Sequence, residues 1–167
     1  MLDVSSAREL SLTAQGLVEP RFLDAMGHMN VAWYVSAFDR AFDQLFARLG
    51  LDPEALKRAN ASTFAADVHV SYQRELREGD PLRVTLRLLG FDAKRFHFFQ
   101  EMYHAREGYL AATAEWLILY IDMSRRRVAA MPDALQQRLA RILEAHARLP
   151  RPALAGRSVG LENRRPT

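Results

Sequence analysis

The chain has 167 residues, of which 49% are apolar, and it carries a formal net charge of +3 without a single cysteine. This size and composition predict one globular domain with a sizeable core. The absence of cysteine excludes disulfides, thiolate zinc sites and a cysteine nucleophile. The chain lacks a signal-peptide pattern at its start and any run of about 18 unbroken apolar residues, so we expect a cytoplasmic protein that does not insert into a membrane.

The basic surplus is small, and the arginines are spread along the chain apart from clusters at 125–127 and 164–165. No zinc-finger spacing, basic helix with heptads or aromatic RNA-binding signature accompanies them, so we do not expect nucleic acid as a partner. A mild excess of Arg and Lys is typical of a protein that handles a polyphosphate ligand.

In chain order, residues 10–22 predict an edge strand, because Pro20 would remove a ladder donor from a central one. A long helix is predicted from Val31, with Asn30 as its N-cap and Gly50 just past its C-terminus. Its apolar side chains recur at a three-and-four spacing that describes one broad face. They are Val31, Tyr34, Val35, Phe38, Phe42, Leu45, Phe46 and Leu49.

After a polar connection, four extended stretches separated by turns rich in Gly, Asp and Pro predict an antiparallel meander. The stretches are 65–75, 82–90, 94–105 and 109–123. A second helix is predicted over 132–147, opened by Pro132 and Asp133.

The predicted fold class is therefore α+β, with a five-stranded antiparallel sheet wrapped around a long central helix and a C-terminal helix beside it. We expect a single domain over residues 1–149. Residues 150–167, rich in Pro, Arg, Gly and Ser, are expected to form a flexible tail.

Between the first strand and the long helix the chain reads Asp24-Ala25-Met26-Gly27-His28-Met29-Asn30. This segment resembles the loop of hotdog-fold acyl-CoA thioesterases of the 4-hydroxybenzoyl-CoA thioesterase type, which reads Asp-x-x-Gly-His-(Val/Met)-Asn before the long helix. The order of elements matches that family from about residue 14 to residue 146. The resemblance implies a hotdog fold, hydrolysis of a coenzyme A thioester without a cofactor, and a homodimer or homotetramer with sites between subunits.

Two further segments, 91–97 and 110–115, look like parts of the thioesterases of carnitine breakdown that hydrolyse betainyl-CoA. Those proteins follow Gly-His-Met with Thr and a helix start containing Glu, whereas this chain has Asn30-Val31-Ala32. The acyl group therefore stays open between short, branched, aromatic and betaine-like groups.

Thioester hydrolysis needs a carboxylate that attacks the carbonyl or activates water, and donors for the oxygen that becomes negative. Asp24 is the candidate carboxylate, as nucleophile or general base. The first turn of the long helix offers backbone N–H groups without intrahelical partners, and by position the donor would be that of Val31. The alternative role for Asp24 is a loop residue that only binds backbone amides before a helix.

The remaining loop residues have two readings each. His28 either orients the carbonyl or the carboxylate, or is structural. Asn30 is either a helix cap or a chemical participant, and Gly27 supports the site through a backbone conformation closed to residues with a Cβ.

Four other residues are candidates for substrate binding. Trp33 and Tyr34 either wall an acyl pocket or belong to the core. Arg125 and Arg127 either meet CoA phosphates or form a solvated charged turn. The histidines have no metal-ligand spacing, so no metal site is expected.

Three functions follow from these residues. The first is acyl-CoA hydrolysis. The second is a non-catalytic acyl-CoA-binding protein on the same fold, and the third is a hotdog dehydratase or hydratase, for which the sequence shows no His-rich motif.

Overall fold

The structure is a computed structural model that describes residues 14–161, so residues 10–13 of the predicted first strand lie outside it. These described residues form six strands and three α-helices, with a 3-10 turn at Pro20–Phe22. In chain order they are β1 (Ala14–Leu17), α1 (Val31–Leu49), α2 (Pro53–Arg58), β2 (Ala61–Tyr72), β3 (Pro81–Phe91), β4 (Arg95–His104), β5 (Leu110–Asp122), β6 (Arg127–Val128) and α3 (Asp133–Ala147).

The strands form one antiparallel sheet in the order β1-β3-β4-β5-β2, and β6 pairs with the end of β5. The predicted meander is correct for β3, β4 and β5 but wrong for β2. Strand β2 pairs with β5, and segment 73–80 carries the chain back to β3. Alternation in a sequence indicates which face of a strand is buried but not which strand lies beside it. The predicted fold class is confirmed.

Helix α1 lies against the inner face of this sheet. The side chains of Phe38 and Phe42 are almost fully buried, and the ring of Phe42 makes edge contacts with Phe98 of β4 and Trp116 of β5 at centroid distances of 5.4 Å. Asn30 caps the helix and Gly50 ends it with a φ of 73°, so both predicted ends are confirmed.

A buried polar link ties α1 to the sheet. The Gln100 side chain is fully buried, and its Nε2 donates to the carbonyl oxygen of Phe38 at 2.8 Å. Its Oε1 accepts from the indole Nε1 of Trp116 at 2.7 Å. Both polar ends of the Gln100 amide therefore have hydrogen-bond partners. Because hydrogen bonds are directional, this glutamine orients the helix relative to the sheet in a way that apolar contacts alone do not.

Two segments differ from the sequence-based expectations. The polar connection after α1 contains the short helix α2, which Asp52 caps by accepting from the Ala55 amide at 2.9 Å. The expected tail begins with a part that packs against the sheet, since Leu154 is buried and the Gly156 amide donates to Glu115 at 2.7 Å. The low apolar content of this segment did not predict that it is ordered, because a few anchoring contacts are enough to hold it.

We expect Gln100→Leu to lower the free energy of unfolding by about 2 kcal/mol, because the Trp116 N–H would lose its acceptor inside the core. Urea titration of the variant measures this loss. The exposed Gln137 in α3 provides the control, and Gln137→Leu should change stability by less than about 0.5 kcal/mol. Adding Trp116→Phe to Gln100→Leu should cost less than the two single losses summed. Full additivity would show that the link contributes nothing.

Candidate functional site

The segment 23–29 is a tight loop that backbone hydrogen bonds hold in place. The Asp24 amide donates to the His28 carbonyl at 2.8 Å, and the Gly27 amide donates to the Asp24 carbonyl at 3.1 Å. The Met29 amide donates to Leu76 at 2.8 Å, which fixes the loop to segment 73–80. Gly27 has a φ of 80°, a conformation that disfavours residues with a Cβ, as the sequence predicted.

The Asp24 carboxylate is exposed and takes part in this turn. Its Oδ1 accepts from the amides of Met26 at 2.8 Å and His28 at 3.3 Å. These bonds are the ones expected of a loop aspartate before a helix, and they orient the carboxylate while leaving Oδ2 without a bond to the described residues. Asp24 therefore does stabilise the turn through Oδ1. Its Oδ2 is held in a defined orientation at the surface of the loop.

The first turn of α1 follows directly. The Oδ1 of Asn30 accepts from the Ala32 amide at 3.0 Å, and the Asn30 carbonyl accepts from the Trp33 amide at 2.9 Å. Asn30 is thus a helix cap. Within residues 14–161 the Val31 amide has no acceptor, which makes it the open donor at the positive end of the helix dipole.

The imidazole of His28 contacts a residue that the sequence analysis missed. Its Nε2 lies 3.1 Å from Oε2 of Glu75, and the other carboxylate oxygen binds Arg77 Nη2 at 2.6 Å. Glu75 stands 47 positions (75 minus 28) after His28, in the segment between β2 and β3. No local pattern marks it, because the two segments meet only in the tertiary structure, through the bridge between His28 and Arg77 and the bond from Met29 to Leu76.

Aromatic residues surround this loop. The Tyr72 hydroxyl donates to the Val31 carbonyl at 3.3 Å, and burial raises the pKa of Tyr72. Tyr34, a predicted pocket residue, lies in the core, where its hydroxyl accepts from the Leu76 amide at 3.1 Å and burial raises its pKa to about 12. Trp33 is half-buried, stacks on Phe22 at a centroid distance of 4.3 Å, and lines a cavity of about 140 Å³.

Arg125 and Arg127 are exposed and lie at the other end of the sheet from the loop. Tyr72 lies opposite Ala112 near the start of β5, whereas these arginines follow its end at Asp122. Ten strand residues separate the two ends, a distance of roughly 33 Å. Within one chain, the structure does not bring these arginines to Asp24.

The larger cavities lie away from Asp24. One of about 560 Å³ lies on the outer face of the sheet, where His97 Nε2 is 2.7 Å from Oε1 of Glu115. Glu115 also accepts from Gly156 through its other oxygen, so its carboxylate is used in holding the C-terminal segment. This cavity has the greater volume, but the oriented carboxylate and the open amide occur in the loop, away from it.

A cavity of about 240 Å³ lies between α1, α2 and the inner face of β2 and β5. Asp39 and Asp43 lie at its edge, with Phe42 and Phe46 beside them. Burial, followed by repulsion from Asp43, raises the pKa of Asp39. Asp39 is eight helical residues from Val31, about 12 Å along the axis, so this cavity does not adjoin the loop of the same chain.

Two absences concern the described residues only. Between Ala14 and Leu161, no three His, Asp or Glu side chains lie close enough together to hold a metal ion. In the same range, none of the helices combines the length and apolar character needed to cross a bilayer.

Comparison with known proteins gives three findings. Residues 18–139 match the sequence model of the thioesterase-like superfamily. The chain is 33% identical to a betainyl-CoA thioesterase of Pseudomonas aeruginosa over 144 residues, covering 86% of this chain and 91% of that protein. It is 34% identical to an L-carnitine dehydrogenase/betainyl-CoA thioesterase of Rhizobium meliloti, covering 86% of this chain but 29% of that longer protein.

Solved structures agree with these sequence matches. A Staphylococcus aureus protein in complex with CoA superimposes with a TM-score of 0.85 at 26% identity, covering 90% of this chain and 95% of that one. A putative thioesterase from Pseudomonas putida superimposes with a TM-score of 0.77, also at 26% identity, covering 90% and 97%.

We expect Gly27→Ala to lower the free energy of unfolding by about 1 kcal/mol, because a Cβ disfavours the left-handed backbone there. A Cβ at Gly27 would meet no atom within 4 Å. The loss of stability in Gly27→Ala therefore reflects the backbone conformation and not a steric clash. Gly90 provides the control, since it also has open space but no positive φ. Thermal unfolding of both alanine variants measures the difference, and equal effects would contradict a conformational role for Gly27.

Proposed function

The chain belongs to the thioesterase-like superfamily, and from that premise we propose that it hydrolyses an acyl-CoA thioester with Asp24 as the reacting carboxylate. The products are the free acid and CoA. The relatives named as thioesterases support the reaction, and the CoA complex of the Staphylococcus aureus protein supports the thiol partner.

The proposal depends chiefly on an oriented carboxylate in the loop that leads directly into the open amide at the start of α1. Asp24 has one oxygen fixed by two backbone donors, and Val31 begins the helix seven positions (31 minus 24) later with its N–H unused. A thioester carbonyl bound here would direct its oxygen toward the Val31 amide, which stabilises the negative charge that develops on it. Losing such a donor costs about 3 kcal/mol of transition-state stabilisation in a studied hydrolase.

Two routes are consistent with this arrangement. In one, Asp24 removes a proton from water, the hydroxide adds to the carbonyl carbon, and the C–S bond breaks as the proton passes to the thiolate. In the other, Asp24 attacks the carbonyl carbon and CoA leaves as the thiolate; water then hydrolyses the anhydride, and a proton from that water passes to the thiolate. In both routes water is consumed and the carboxylate is regenerated.

The names of the curated relatives make a betainyl group the first acyl group to test. The departure at Asn30-Val31-Ala32 from the pattern of those thioesterases is the reason to include short, branched and aromatic esters in the same panel. The ratios of kcat/KM across the panel define the preference. A higher kcat/KM for every other ester than for betainyl-CoA would overturn the betainyl assignment but not the proposed thioester hydrolysis.

We further propose that the site is completed by a second copy of the chain. Strand β2 is an edge strand that pairs only with β5 among the described strands. Apolar side chains along it and around the loop are exposed, to 64% at Phe64, 78% at Met26 and 57% at Val31. An uncovered edge with apolar flanks favours strand pairing with another chain, and pairing at β2 would cover the open side of Asp24.

We expect the protein to sediment as a dimer or tetramer, and Phe64→Glu to shift it toward monomer and to lower turnover because the site would lose its cover. Analytical ultracentrifugation at the assay concentration measures the assembly. Leu17→Glu is the control, since Leu17 is exposed to 58% but lies on β1, at the opposite edge of the sheet from β2. A monomeric wild type with full turnover would contradict the shared site.

We expect Asp24→Asn to lower kcat by about 10²- to 10⁴-fold, because the amide retains an oxygen for the turn but neither attacks nor accepts a proton. Thiol release from acyl-CoA measures turnover. Binding of a CoA ester should persist, measured by calorimetry.

Asp122 provides a matched control for this variant. Its Oδ1 accepts from Ser124 at 2.8 Å and Arg125 at 3.3 Å, the same pattern as Asp24, at the other end of the sheet. Asp122→Asn should therefore leave turnover unchanged. Equal turnover by Asp24→Asn and wild type would eliminate the mechanism, and a wild type that binds CoA esters without releasing thiol would instead identify a binding protein.

A further inference from the structure

We propose that Glu75 is a positioning residue for the reaction, which it serves by orienting the imidazole of His28 in the loop that carries Asp24. This inference rests on the proposed function. The contact between His28 Nε2 and Glu75 Oε2 is 3.1 Å long, and both side chains are partly exposed, to 36% and 46%. At that exposure the ion pair itself contributes little to stability, so its geometry is the property to explain.

The loop does not need this contact to hold its shape. Backbone bonds from Asp24 to His28, from Met29 to Leu76 and from Asn30 to Phe22 all lie at 2.8 Å. Removing the Glu75 carboxylate leaves these backbone bonds in place and releases the side chains of His28 and Arg77. The pair is therefore available to control the imidazole rather than the fold of the loop.

The carboxylate determines which ring nitrogen carries the proton. An ionised carboxylate only accepts hydrogen bonds, so Nε2 must donate to Glu75. In the neutral imidazole, Nδ1 is then the acceptor. Nδ1 is bonded to the ring carbon that joins the side chain to the backbone, and the His28 amide is itself bound to Asp24 Oδ1 at 3.3 Å. A fixed acceptor in the Asp24 loop is able to orient a water molecule or a protonated carboxyl group by accepting a hydrogen bond from it.

Glu75 is in turn held from its other side. Its Oε1 accepts from Arg77 Nη2 at 2.6 Å and Nε at 3.1 Å, so the guanidinium fixes one oxygen while the other faces His28. The Tyr109 hydroxyl donates to the backbone carbonyl of Glu75 at 3.0 Å. The backbone and the carboxylate of Glu75 are thus both anchored, as expected of a residue that orients another.

The experiment compares Glu75→Ala, Glu75→Gln, His28→Ala and the double variant Glu75→Ala/His28→Ala in thiol release. Carboxylates that orient functional histidines contribute about ten- to a hundredfold in metal sites, and we expect Glu75→Ala to lower kcat/KM by that factor. Glu75→Gln should recover most of the loss, because its amide oxygen still accepts from Nε2. The double variant should be no slower than His28→Ala alone, since Glu75 acts through that ring.

Glu78 and Arg77 separate this role from a general effect of charge. Glu78 is an exposed carboxylate in the same segment, and Glu78→Ala should leave kcat/KM unchanged. Arg77→Gln should have a smaller effect than Glu75→Ala, because Glu75 keeps its contact with His28. Additive losses in the double variant, or an equal loss in Glu75→Gln and Glu75→Ala, would overturn the proposal.

Nitrogen-15 NMR of labelled histidine gives a readout that does not depend on turnover. At alkaline pH, the His28 ring should show a protonated Nε2 and an unprotonated Nδ1 in wild type, and a mixture of tautomers in Glu75→Ala. His28→Ala assigns the signal. A mixture already present in wild type would overturn the proposal while leaving Asp24 untouched, whereas full turnover by Asp24→Asn would overturn the catalytic mechanism without changing this spectrum.

Discussion

The burial of α1 against the inner face of the sheet is the constraint on which the rest of the structure depends. Phe38 and Phe42 bury nearly their whole side chains there, and each contributes roughly 2–3 kcal/mol of hydrophobic free energy. Because the helix is clamped along its length, its first turn cannot rotate. The Val31 amide and the loop that ends at Asn30 therefore have a defined relation to the sheet.

At the start of α1, most of the hydrogen bonds that fix the geometry come from backbone groups. Asn30 satisfies two first-turn amides, and the loop amides satisfy one oxygen of Asp24. Among residues 14–161, one oxygen of Asp24 and the Val31 amide have no partner, and the proposed hydrolysis uses these two groups. The role of Asp24 in the turn and its proposed role in chemistry thus support each other, since a carboxylate already oriented needs less reorganisation during the reaction.

The two faces of the sheet serve different purposes. The inner face carries the core, with Gln100 as a polar tie to the helix, whereas the outer face holds the C-terminal segment through Glu115. The cavity beside Glu115 is the more voluminous, yet its carboxylate is committed to His97 and Gly156. The proposed site is therefore not the cavity of greater volume but the exposed loop, which the proposed second copy would cover by pairing at β2.

The sequence by itself determined the features that depend on near neighbours in the chain. Helical spacing and the residues Asn30 and Gly50 defined α1, alternation defined the buried face of β3 but not of β2, and the motif from Asp24 to Asn30 indicated the loop and its family. Only the tertiary structure decided that β2 pairs with β5, that Glu75 reaches His28, that Tyr34 lies in the core, and that Gly156 binds Glu115 of the sheet. These features join residues far apart in the chain, and their geometry arises from how the sheet curves around the helix, for which no local pattern of side chains carries a signal.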